Sequence, residues 1–337
     1  MASMKDIAIA CGVSIATVSK ALNDQGDIGE ETKKKVRQVA KELGYSPNSM
    51  ARALKTNRTH NIGVLFVDAA NSGLTHSYFS FVLDSFKKAV EEKGYDLTFI
   101  NSSVKGRKQL SILEHCRYRG FDGVVIACVD FEDPQVVELV KSEFPVVTID
   151  YLFDSGIAVI SDNIKGMRDL VTFVCEMGHR RIAYIHGEDT SVTQKRLSSF
   201  YRTLEDHGIE IPDEYVREVP YRDTELAEKV TKELLSMKKR PTCILYPDDY
   251  SCLGGINAIR EMGLRIPQDV SVAGYDGLSV GRRMEPQLTT ISQDTQRLGS
   301  EAAKKLISLI ERPKTTLLET VMVGGVLYEG GSVGKVK

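Results

Sequence analysis

Several things are scarce in this chain, and each scarcity excludes a class of protein. Its six Cys stand singly, at 11, 116, 128, 175, 243 and 252. No two have zinc-ligand or redox spacing, so they read as reduced core thiols of a cytoplasmic protein. No signal peptide opens the chain, and no apolar run approaches the length of a membrane span. No G-x-G-x-x-G follows a strand pattern, no phosphate-binding G-x-x-x-x-G-K-[ST] occurs, and the six His form no H-E-x-x-H. Gly330-Gly331-Ser332-Val333-Gly334 fits the nucleophile pattern G-x-S-x-G. It lies within the last eight residues with no His or Asp behind it, so it reads as a loose tail. The expectation is a protein that is not an enzyme and needs neither metal nor cofactor.

Net charge is also scarce, at -2 over 337 residues, so the whole chain is not a general nucleic-acid binder. Its distribution is uneven. Residues 1–60 hold ten Lys/Arg and six Asp/Glu, whereas the remainder holds 34 and 40. A basic head on an acidic body is the pattern of a single DNA-binding module.

That head carries the clearest local signals. Ser3 and Asp6 form a capping-box pattern, and Ile7 and Ala10 give the helix an apolar stripe. Gly12 stops it, because glycine accepts positive φ. Ser14 is a second N-cap, opening a helix from Ile15 to about Leu22 with Val18 and Leu22 facing inward. Two short helices joined by a glycine turn are a helix-turn-helix, whose second helix enters the major groove by its N-terminal end. A third helix carries Val36, Val39, Ala40 and Leu43 at helical spacing, with Lys33, Lys34, Lys35, Arg37 and Lys41 expected in solvent. Ile15, Ala16 and Thr17 lie nearest the base edges. Lys20 suits guanine or phosphate, and Ser14 and Ser19 suit phosphate oxygens. The alternative for Ile15 is a place in the three-helix core. Lys5, Asn23, Tyr45, Asn48, Ala51 and Lys55 complete the expected DNA-contact set.

Tyr45-Ser46-Pro47-Asn48-Ser49-Met50-Ala51-Arg52-Ala53-Leu54-Lys55 offers an N-cap Ser and a Pro at the first helical position. A helix of about two turns is too short to stand alone and suits ordering on binding. Leu54 has no local core and suits a wedge between base steps in the minor groove. The alternative is an ordinary linker.

KDIAIACGVSIATVSKALN followed by YSPNSMARAL resembles the lactose/galactose/purine repressor family of bacterial transcription regulators, and the resemblance extends over essentially the whole chain. It implies that the first helices read the major groove. It implies that the hinge helices of two subunits pair, and that Leu54 intercalates at the operator centre. It further implies two lobes that exchange strands near Ser161, Ser292 and the C-terminus, in a periplasmic-binding-protein architecture with a ligand cleft between them.

The body fits α/β alternation. NIGVLFV, YDLTFIN, FDGVVIACV, PVVTID, RIAYIHG, YVREV, TCILYP and DVSVAGYD are strand patterns separated by helical ones, and LETVMVGGVLY reads as a final antiparallel segment. Such units give doubly wound parallel sheets. The expected division is a helix-turn-helix domain at 1–45, a hinge at 46–60 and a two-lobed domain at 61–337. Lobe 1 takes about 61–161 and 293–321, and lobe 2 about 162–292 and 322–337. Ligands in such folds bind beyond the carboxyl ends of strands. The loops there carry Tyr78, Phe79, Asp150, Asp162, Arg196, Tyr221, Asp248 and Asp276. Carboxylates, a guanidinium fork and aromatic rings together suit a neutral sugar or polyol. Tyr78 and Phe79 have a packing alternative, Asp248 or Asp249 can be a helix N-cap, and Asp249 is the one expected to have such a structural role. Arg196 and Asp276 match the family's effector-contact positions. Asp248-Asp249 departs from the Asn-Asp common in that family. Thr190, Ser191, Thr193 and Lys195 keep a sugar phosphate as an alternative.

The function expected is a homodimeric cytoplasmic DNA-binding regulator, a repressor, controlled by a small carbohydrate-like effector and acting on a pseudo-palindromic operator. The alternative is catabolite control through a phosphorylated carrier protein. A free sugar-binding protein would lack residues 1–60.

Overall fold

The structure, a computed structural model, describes residues 2–46, 53, 58–67, 73–101 and 110–336. The chain divides into two compact units, Met1–Thr59 and His60–Lys337.

In the first unit three helices, Met4–Cys11, Ile15–Leu22 and Glu30–Glu42, enclose a small core. Each start and stop has a local cause. Ser3 and Asp6 complete a reciprocal capping box, Gly12 ends the first helix at φ 70°, and Ser14 caps the second through the Thr17 N–H. Ile7, Ala8, Cys11, Val18, Ala21, Val36 and Ala40 are buried, with Leu22 only packed at the edge, so Ala21 takes the inward place expected of Leu22. Lys33 also departs from expectation. It is 5% exposed rather than solvated. Its ammonium lies 2.8 Å from Glu30 at the start of its own helix and 3.1 Å from Asp24 in the turn after the second helix, and these two carboxylates offset the cost of covering its stem.

The second unit contains two six-stranded sheets. The first has the order β11-β5-β4-β3-β1-β2, from Thr320–Val323, Ile157–Ser161, Val146–Ile149, Gly123–Ala127, Asn61–Phe66 and Asp96–Phe99. The second has the order β12-β10-β9-β8-β6-β7, from Val326–Tyr328, Thr289–Ser292, Ser271–Asp276, Cys243–Leu245, Ile182–His186 and Val216–Glu218. We call the halves built on them lobe 1 and lobe 2. Every pairing is parallel except β12 with β10. The central strands are buried along their length, as parallel strands covered on both faces must be.

The chain crosses between lobes after β5, after β10 and between β11 and β12. The last segment therefore does not pair as one antiparallel piece: β11 joins lobe 1 in parallel and β12 joins lobe 2 antiparallel. Strands β5 and β10 are additions to the sequence reading, as is a short helix at Ser279–Arg282. The carboxyl-terminal stretch is packed rather than loose. Ser332 is 1% exposed, donates to the Val272 carbonyl at 2.7 Å and accepts the Thr289 N–H at 2.8 Å, so its hydroxyl ties two strands together.

Candidate functional site

The second helix of the first unit presents a solvent-facing N-terminal end. Ile15 is 48% exposed, which places it outside the core its hydrophobicity would suggest. Ala16 is exposed beside it, and Thr17 is half-buried, its hydroxyl 2.8 Å from that of Ser14. Ser19 and Lys20 are half-buried, and Lys5 and Asn23 are exposed. Asn23 donates its side-chain amide to the Ser19 carbonyl at 2.7 Å. The Lys20 ammonium is ion-paired with Asp27, a partner that the sequence reading did not assign. Tyr45 is half-buried against the three-helix core, so its ring has a packing role. Asn48, Ala51, Leu54 and Lys55 lie outside the described residues.

In the second unit the carboxyl ends of the strands bring the other set together. In lobe 1, Asp150 follows β4 at φ 60°, a left-handed conformation uncommon for a side-chain-bearing residue. It accepts the Tyr78 hydroxyl at 2.7 Å and the Ser161 N–H at 2.8 Å. The Tyr78 hydroxyl is also 3.1 Å from that of Ser161. Burial, then the Asp150 charge, push the Tyr78 phenol well above its usual range. Phe79, half-buried in the same helix, Ser77–Glu91, packs edge-on to Phe66, His76 and Tyr78.

In lobe 2, Arg196 lies on the helix Ser191–Asp206 and is 4% exposed. Its Nε donates to the Asn163 side-chain oxygen at 2.8 Å and its Nη1 to the Pro247 carbonyl at 2.9 Å. The guanidinium carbon lies 3.6 Å from the centroid of the Tyr275 ring. No carboxylate among the described residues is within ion-pair distance of it. Burial opposes its charge, but the fields of Tyr221, Tyr275, Asp276 and Tyr184 outweigh that. Asp276 ends β9 at φ 100°. Gln293 donates to one of its oxygens at 2.7 Å, and the other has no protein donor among the described residues. Burial is the main cause pushing Asp276 up to about 7; Arg196 opposes the shift, and Asp248 and Asp150 add to it. The Tyr221 hydroxyl is 2.8 Å from Thr193.

Two expected site residues have a structural occupation. Asp248, not Asp249, caps the helix Asp249–Glu261: one oxygen accepts Tyr250 and Ser251 N–H, the other Arg222 N–H and the Ser251 hydroxyl. Asp249 is fully buried and accepts from the Leu278 N–H and the Thr290 hydroxyl, which joins the loop after β9 to strand β10. Asp162 caps the helix Asn163–Glu176 through the Lys165 N–H at 2.9 Å. Thr190 caps its own helix through Thr193 N–H, so its hydroxyl is engaged. The structure adds Asn163, Tyr275 and Gln293 to the site, along with a bond of 3.0 Å between Ser77 of lobe 1 and Tyr250 of lobe 2. For Tyr275 the only sequence signal was its place directly before Asp276. The arrangement offers a donor fork on an aromatic face, opposed by carboxylate oxygens from both lobes, which can hold a ligand rich in hydroxyls.

Comparisons with known proteins agree with this architecture. Residues 3–48 match the family model described as "Bacterial regulatory proteins, lacI family", and residues 171–333 match "Periplasmic binding protein-like domain". The chain is 33% identical over 316 residues to the HTH-type transcriptional repressor PurR of Pectobacterium carotovorum, covering 92% of this chain and 91% of the relative. It is 30% identical over 319 residues to the probable HTH-type transcriptional repressor ExuR of Bacillus subtilis, covering 94% and 93%. A crystal structure of the Lac repressor dimer bound to operator and the anti-inducer ONPF superposes with a TM-score of 0.83 at 25% identity, covering 99% of each chain. With an exposed second helix, two strand-exchanged lobes and relatives matched over more than nine-tenths of their length, the chain belongs to the LacI family of bacterial transcription regulators.

Proposed function

We infer that this protein is a homodimeric cytoplasmic repressor whose operator affinity is set by a small carbohydrate-like effector held between the lobes. In this reading residues 1–45 read the major groove, 46–60 form the hinge, and 61–337 bind effector and dimerise. The observation that carries it is the pairing of Arg196 with Asp276. A donor fork on the helix Ser191–Asp206 and a carboxylate at the end of β9 each keep unpartnered capacity rather than closing on the other. Hydroxyls, which both donate and accept, match such a pair. The relatives support the context: one solved Lac repressor is a dimer on operator, and the structure of the regulator CelR is a cellobiose complex. The engagement of Thr190 and Thr193 within the chain weighs against a phosphate at that helix start.

The test is operator binding by the full chain, using a site selected from random duplex DNA, with D-ribose, D-glucose, D-galactose, cellobiose and glucose 6-phosphate added in turn. The expected result is one neutral sugar that changes operator affinity, an effect Asp276→Ala abolishes. Binding of a single asymmetric half-site by a monomer, or a response that persists in Asp276→Ala, overturns the reading. Leu54→Ala is expected to weaken operator binding sharply without altering sugar binding.

A further inference from the structure

Between the two halves of the cleft runs an unbroken set of hydrogen bonds. Arg196 of lobe 2 donates Nε to Oδ1 of Asn163 at 2.8 Å. Asn163 donates Nδ2 to the Ser161 carbonyl at 3.2 Å. Ser161 ends β5 of lobe 1, where its N–H reaches Asp150 at 2.8 Å and its hydroxyl meets Tyr78 at 3.1 Å. Tyr78 returns to Asp150 at 2.7 Å. Asn163 is 3% exposed and sits at the first helical turn beyond the crossover from lobe 1. Its amide orientation follows from chemistry, because a guanidinium only donates and a carbonyl only accepts. One end of the amide is therefore committed to each lobe.

We propose that Asn163 is a positioning residue that couples the two walls of the cleft. It holds Arg196 in line for a ligand and links any shift of that guanidinium to the Ser161–Asp150–Tyr78 cluster of lobe 1. This rests on the reading of the cleft as the effector site. Rigid groups joined by short bonds have few intermediate arrangements. A displacement at one end is met by breakage or by concerted movement at the other. Asp150, already at φ 60°, is the place where lobe 1 has backbone conformation to release.

The informative variant is Asn163→Asp. A carboxylate still accepts from Arg196 but cannot donate to the Ser161 carbonyl, so it cuts the chain on one side only. A carboxylate also suits a helix N-terminus, so folding is expected to survive. Should it fail to fold, Asn163→Ser, whose hydroxyl cannot span both partners, takes its place. The ligand-free measurement is amide hydrogen exchange in the full chain, for wild type, Arg196→Lys, Asn163→Asp and the double variant. Arg196→Lys is expected to speed exchange of the Ser161 amide and of the segment 149–151 by about fivefold or more in the wild-type background, and by less than about twofold when Asn163 is Asp. Strand β6, in lobe 2 but outside the chain of bonds, is the control. A merely structural role would raise exchange at β6 as well. No change in lobe 1, or equal changes in both backgrounds, overturns the proposal. A second arm measures the factor by which the active sugar of the panel changes operator affinity. Asn163→Asp is expected to reduce it about fivefold, and an unchanged factor overturns the proposal. If no sugar acts on the wild type, the sugar-sensing reading fails while the exchange arm still decides the coupling.

Discussion

The guanidinium of Arg196 lies 3.6 Å above the ring of Tyr275, and the stack exists because a glycine faces the ring's far end. A Cβ built on Gly166 would come within 2.2 Å of the Tyr275 hydroxyl oxygen. Glycine at that point of a helix costs propensity, so its presence is explained by the room the tyrosine needs.

Gly166→Ala should therefore destabilise the protein by roughly 1–3 kcal/mol through overpacking. Tyr275→Phe, which removes the clashing oxygen but keeps the ring under Arg196, should recover part of that loss in the double variant. Denaturant unfolding of the four proteins gives the coupling. Strict additivity would mean that the two groups do not meet.

Asp276 predicts a pH dependence. Its usual value is 3.8 and its folded value about 7, so the folded chain binds this proton more tightly than the unfolded one. Stability from this group is present at low pH and is lost as pH rises from about 4 through about 7. The stability of wild type relative to Asp276→Asn should accordingly fall between about pH 4 and pH 7 and level off above that. A flat difference across that window, measured by thermal melts, would count against the buried, acid-rich surroundings described for this carboxylate.

Asp248 makes the opposite kind of prediction, one of cap rather than contact. Both its oxygens are occupied by the start of its helix and by the Arg222 N–H and Ser251 hydroxyl. Asp248→Ala should cost about 1–2 kcal/mol or more as a lost N-cap, while Asp248→Asn should recover much of it. Equal melting temperatures for wild type and Asp248→Ala would refute the capping role.

Lys20 and Asp27 set a fourth expectation. Their ion pair is about half-exposed, so its own contribution to stability is small. Its consequence lies in the charge available to DNA. Asp27→Asn should strengthen binding to non-specific duplex DNA and steepen the salt dependence by about one phosphate contact. An unchanged salt slope would show that Lys20 does not reach the backbone.

Much of the fold could be read locally. Ser3, Gly12 and Ser14 mark helix ends by interactions within three or four residues, and those ends stand where the spacing puts them. The positions of Asp150, Arg196 and Asp276 at strand and helix ends follow from chain order and the geometry of parallel sheets. Two of the departures share one cause. Lys33 is covered between two carboxylates instead of solvated, and of the two candidate caps Asp248 rather than Asp249 holds the helix start. Each depends on where a polar side chain finds its partner.

By itself the sequence determined the helix-turn-helix, the alternation of strands and helices, and the loops that would meet at a cleft. These rest on periodicity, capping and glycine conformations, which act over a few residues. Tertiary structure alone decided that Asn163 would hold Arg196, 33 residues away, and that Tyr275 would lie beneath it. It also sent β11 and β12 to different lobes. A buried polar group must find a hydrogen-bonding partner wherever the fold brings one, and that partner is fixed by the packing of helices and strands distant in sequence rather than by its neighbours in the chain.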